Sequence, residues 1–63
     1  MNDLDGRLLA AHAKNDRAAL VTLYTLAADQ APTEQAKRFY LTHAYVFALE
    51  TDHPDSAVLR ARL

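Results

Sequence analysis

"RFYLTHAYVFALET", residues 38–51, is the stretch whose reading decides the fold. Between Phe39 and Leu49 its polar side chains are Thr42, His43 and the tyrosine hydroxyls. It shows no strand-like alternation, and its composition favours a helix. Wound as a helix, it is apolar nearly all round. Such a helix needs neighbours on several sides. The chain that carries it has only 63 residues and little interior to offer.

Working outward, this helix begins near Thr33 and runs to about Thr51. Pro32 suits its first turn, where a missing N–H costs nothing, and Glu34 suits the helix dipole. Its early turns are polar (Glu34, Gln35, Lys37, Arg38) and its later turns are not. Upstream, a second helix is predicted over about 17–29, with Asn15 and Asp16 supplying a turn and an N-cap. Its apolar side comprises Ala19, Leu20, Leu23, Tyr24, Leu26 and Ala27, and Thr22, Thr25 and Asp29 form a wet side. Before it, a helix over about 3–14 carries the narrow stripe Leu4, Leu8, Ala11, capped by Asn2 or Asp3. Gly6 weakens that helix. Downstream, "TDHPDS" opens a fourth helix, with Asp52 or His53 as cap and Pro54 in the first turn. Ala57, Val58, Ala61 and Leu63 are its expected inward residues. Short connections make consecutive helices antiparallel neighbours. The expected fold is therefore all-α, one domain of four helices forming two hairpins, about 3–30 and 33–63.

Length and composition limit the function classes. A chain this short folds close to the point where apolar burial and lost chain entropy cancel. Small domains are often helped by disulfides, a metal or a partner subunit. Cysteine is absent, so no disulfide and no cysteine zinc site forms. The net charge is −1, with 7 basic and 8 acidic residues intermixed, and no basic field is present to hold a phosphate backbone. The start, "MNDLDGRLLAAHAKND", is acidic and interrupted by polar residues, unlike a secretory signal. No run approaches the roughly 20 apolar residues of a membrane span. A cytoplasmic location is the default expectation.

Reactive constellations are sparse. His12, His43 and His53 have no i, i+4 partner histidine, and no HExxH is present, so neither a metal nor a cofactor is expected. His53, in the acidic turn "DHPD", reads as a solvated histidine at a capped helix start. His43 projects near Phe39 and Glu50, as part of a wet stripe or as a polar anchor inside an interface. The single glycine excludes a phosphate-binding glycine loop, and Ser56 has no partners for acyl transfer. A helix-turn-helix DNA-binding protein is the main non-enzymatic alternative. A recognition helix should carry Arg, Lys, Asn or Gln along an exposed face, and none of the predicted helices does so beyond its first turns.

The order helix, short turn, helix, proline occurs about twice, with a period near the 34 residues of one known repeat. Leu4 and Leu8, then Tyr24, Ala27 and Pro32, make the first unit. Leu41, Thr42 and Tyr45, then Val58 and Ala61, make the second. This resembles the tetratricopeptide repeat, which sets a bulky residue, a small residue and an aromatic on its first helix, and an aromatic and an alanine on its second. "ALETDHPDSA" also looks like the end of such a repeat, at a different phase. The chain departs from the pattern in lacking the tryptophan, in having Ala11 where an aromatic belongs, and in having Pro54 where a small residue is usual. The resemblance implies protein–protein interaction and no catalysis. The expected function is a non-enzymatic adaptor or accessory subunit that binds a protein partner, or a second copy of itself, without small-molecule substrate or nucleic acid. The candidate partner-binding residues are Phe39, Tyr40, His43, Val46, Phe47 and Glu50.

Overall fold

A computed structural model describes residues 3–63. It contains α1 (Asp3–Ala13), α2 (Arg17–Asp29), α3 (Glu34–Glu50) and α4 (Ser56–Arg62), and no strand among the described residues. The all-α expectation holds. Of the two proposed caps for α1, Asn2 lies outside the described residues and Asp3 is already helical.

The helix ends follow from local chemistry. Asp16 caps α2 by accepting from the Ala19 N–H at 3.2 Å, and Thr33 caps α3 by accepting from the Ala36 N–H at 3.1 Å. Pro32 therefore stands just before the cap and not in the first turn. Asn15 and Asp52 adopt left-handed backbone, with φ of 55° and 52°. Each follows a helix end of the Schellman type. The Asp16 N–H donates to the Ala11 carbonyl at 2.9 Å, and the His53 N–H donates to the Ala48 carbonyl at 2.8 Å. Asn and Asp tolerate this conformation better than other side chains. Asp52 thus terminates α3 and does not cap α4, which starts later than expected. His53 stays in the turn, half-buried, its Nδ1 accepting from the Asp55 N–H at 3.0 Å. It is less solvated than the sequence implied.

The two caps reveal a structural repeat. Leu4, Leu8, Ala11 and Asn15 correspond at one constant offset to Leu41, Tyr45, Ala48 and Asp52. Leu20, four residues after Asp16, corresponds to Leu59, four residues after Asp55, and both are buried. The second hairpin's turn is longer than the first, so no single period spans both helices of the unit.

Each helix packs its backbone against its sequence neighbours, and the broadest contact joins α2 to α3. The body is flat, with extents of 31 × 27 × 12 Å. One core group lies between α2, α3 and α4: Val21, Ala28, Leu41, Ala44, Ala48 and Leu59. The other lies between α1 and α2: Leu4, Ala11, Leu20, Leu23 and Ala27. Tyr24, Tyr40 and Phe47 pack against both. Asp29 of α2 pairs with Arg62 of α4 at 2.7 Å.

Several predicted faces are corrected. On α4 the inward residue is Leu59, 2% exposed, whereas Val58 is 59% exposed, and Ala57, Ala61 and Leu63 are also exposed. The longer turn delays α4 and rotates its inward face to Leu59. On α2, Val21 and Ala28 are buried, and Thr25 is half-buried, its hydroxyl donating to the Val21 carbonyl at 2.7 Å. Thr22 and Asp29 stay exposed as expected, and α3 packs beside Thr25, on Val21 and Ala28. Leu49 of α3 is exposed.

Leu59→Ala should lower unfolding free energy by about 2–5 kcal/mol, against less than about 0.5 kcal/mol for Val58→Ala, as read from urea melts followed by circular dichroism. A Cβ at Gly6 meets open space, so Gly6→Ala should raise stability by about 0.5–1 kcal/mol in the same measurement.

Candidate functional site: an aromatic face and an open apolar ridge

The six predicted partner-binding residues sit on α3, with Tyr40 and Phe47 flanking its alanine seam and the other four farther round the helix. They do not share one environment. Phe39, Val46 and Glu50 are exposed, and Tyr40, His43 and Phe47 are half-buried. The half-buried rings form a continuous aromatic face with two residues that the sequence did not assign to the site, His12 of α1 and Tyr24 of α2.

Tyr24 is the hub of this face. Its ring stacks on Phe47 with centroids 5.9 Å apart and planes 13° apart, and on Tyr40 at 6.2 Å. His43 lies 5.1 Å from it. His12 approaches edge-on at 5.9 Å, and its Nε2 shares a 2.9 Å hydrogen bond with the Tyr24 hydroxyl. These offset and edge-on arrangements are the favoured ones for ring pairs. Tyr24 reads from sequence as a core residue of α2, and His12 as an unpaired histidine. Only the packing of α1 and α3 on either side of α2 brings them together.

His43 is held from below. Its Nδ1 lies 2.9 Å from the Phe39 carbonyl oxygen. A carbonyl only accepts, so Nδ1 carries a proton and Nε2 is left as the uncommitted nitrogen. The Phe39 ring lies 4.4 Å from the imidazole. Next to this pair the surface is open and apolar. Phe39, Val46 and Leu49 are 58%, 48% and 56% exposed. A depression of about 200 Å³ is lined by Thr42, His43, Val46 and Phe47. It lies between two i, i+4 rows of α3, where a ridge of another helix can insert.

A larger open groove of about 410 Å³ runs between α1 and α2, past Arg7, Ala10, Lys14, Asp16, Thr22 and Leu23. It contains no converging set of groups suited to chemistry. Among the described residues no three His, Cys, Asp or Glu side chains gather as metal ligands, and no helix is long and apolar enough to cross a membrane. Comparison of the chain with protein-family models, curated proteins and solved structures found no match.

The aromatic face holds the two core groups together as well as facing solvent. Tyr24→Ala should destabilise by about 2 kcal/mol or more, whereas Tyr24→Phe, which keeps the ring and loses the His12 bond, should cost about 1 kcal/mol or less in thermal and urea unfolding.

Proposed function

We propose that the chain is a non-enzymatic protein-interaction module that presents the outer side of α3 to another polypeptide. One observation carries this reading: Phe39, Val46 and Leu49 are all large, apolar and exposed along one helix, beside a histidine fixed by its own backbone. Single exposed apolar side chains are ordinary, but several on one side of one helix, here interrupted at Thr42 and His43, mark an interaction surface. Helix-in-groove recognition uses this kind of anchor spacing, with apolar side chains at successive turns. The likeness to tetratricopeptide repeats belongs to the same reading, since paired hairpins there offer a helical surface to a protein ligand.

The roles divide by burial. Phe39 and Val46 are the anchors, and Leu49 joins them. His43 and Glu50 are the polar groups that orient the partner. Tyr40 and Phe47 shape the floor, because both are already engaged with Tyr24.

A photo-reactive amino acid placed at Leu49 should form adducts with another polypeptide in the cells that produce the protein, and the same group at exposed Thr22 should not. Phe39→Ser and Val46→Ser should abolish the adducts and shift stability by no more than about 0.5 kcal/mol. Equal labelling from both positions would end this reading.

A further inference from the structure

The charge pattern along the α3 ridge names an occupant. His43 and Glu50 are two turns apart and, at 100° per residue, lie within about 20° of one another on the helix circumference. Val46 and Phe47 fall midway between them, one on each flank. With Nδ1–H committed to the Phe39 carbonyl, Nε2 is the uncommitted nitrogen, and on the imidazolium its N–H is the donor left for a carboxylate. Among the described residues Arg62 pairs with Asp29, and His53 Nδ1, which accepts the Asp55 N–H, lies 3.9 Å from the Asp55 carboxylate; Glu50 is engaged in neither contact.

A two-fold axis between Val46 and Phe47 makes this ridge complementary to itself. His43 and Glu50 are equally distant from that axis. An antiparallel second α3 therefore sets each His43 opposite the mate's Glu50, twice per pair. Val46 meets the mate's Val46 on one flank, and Phe47 meets the mate's Phe47 on the other. Farther out, Phe39 reaches the mate's α3–α4 turn, where Pro54 is exposed. A parallel pairing would instead set Glu50 against Glu50. The charges therefore select the antiparallel arrangement, and the interface is isologous.

We propose that the partner of the α3 ridge is a second copy of this chain, docked antiparallel through reciprocal His43–Glu50 pairs around a Val46–Phe47 centre. This rests on the protein-interaction reading above and identifies its ligand. The depression lined by Thr42, His43, Val46 and Phe47 is the groove that receives the mate's ridge. A contact of one helix from each copy falls at the small end of specific interfaces, so the dimer exchanges readily with monomer.

Sedimentation of the purified chain across a concentration series tests this directly. The wild type should pass from monomer to dimer. His43→Glu, which sets one carboxylate against the mate's Glu50 at each end, should weaken dimerisation by about tenfold or more. Adding Glu50→Arg to His43→Glu restores opposite charges and should recover the dimer, while circular dichroism shows all three chains equally helical. A wild type that stays monomeric to about 1 mM, or a double variant no better than His43→Glu, overturns the proposal. If the wild type is monomeric while Leu49 adducts form with a different protein, this inference falls and the interaction reading stands. A monomer without adducts removes both.

Discussion

The fold depends on how closely α2 and α3 can approach. The seam between them is made of small side chains: Ala28 on α2, Ala44 and Ala48 on α3, with Val21 beside them, all at most 1% exposed. Alanine at the closest points lets helix axes come near the short end of the usual 8–10 Å range. The rest is arranged around that seam. The first helix covers the far side of α2, and α4 is held by Leu59 reaching the same core group and by the Arg62–Asp29 pair. Widening the seam by even one methylene would push apart the broadest helix contact among the described residues.

A flat body has a geometric consequence. Helices laid side by side bury their edges but leave both broad faces toward water. In a thickness of 12 Å there is no second layer to cover them. Large rings solve part of this, because each covers much area while ordering few torsions. Tyr24, Tyr40 and Phe47 lie across the seam and touch both core groups. The aromatic character of α3 is thus in the first place structural. What the fold does not explain is the row beyond those rings, where Val46 and Leu49 stay exposed and Phe39, though its ring touches Tyr40 and His43, is exposed as well.

Helix positions were legible because they rest on local chemistry: Asn15 and Asp16 as a turn and an N-cap, and Leu4, Leu8 and Ala11 as a stripe; the Thr33 cap was hidden by placing Pro32 in the first turn. Faces were less legible where burial depends on a distant element. Val21 and Ala28 look unremarkable until α3 lies against them, and Leu59 was missed because its direction is set by the length of the "TDHPD" turn. Asp52 illustrates the ambiguity, since an Asp between two helices can end one or begin the next, and backbone angles decide which. At the site, the α3 residues could be read from one helix alone. His12 and Tyr24 could not, because no local spacing links residues on three helices.

The repeat within the chain bears on where another molecule could add. In the first hairpin, Val21 is the residue of α2 that receives α3. The matching position of α4, counted from its cap, is Arg60, which is exposed. A guanidinium there cannot enter an alanine seam without a buried partner, so the α4 edge does not repeat the surface that α2 offers. The structural repeat therefore does not propagate at that edge. Of the large apolar side chains left exposed among the described residues, Leu9 lies on α1 and Val58 and Leu63 at the α4 end, while Phe39, Val46 and Leu49 share α3, crosswise to the direction of stacking. A helix placed there meets Val46 and Phe39 with a fixed imidazole and a free carboxylate beside them, which is a surface that specifies orientation as well as contact.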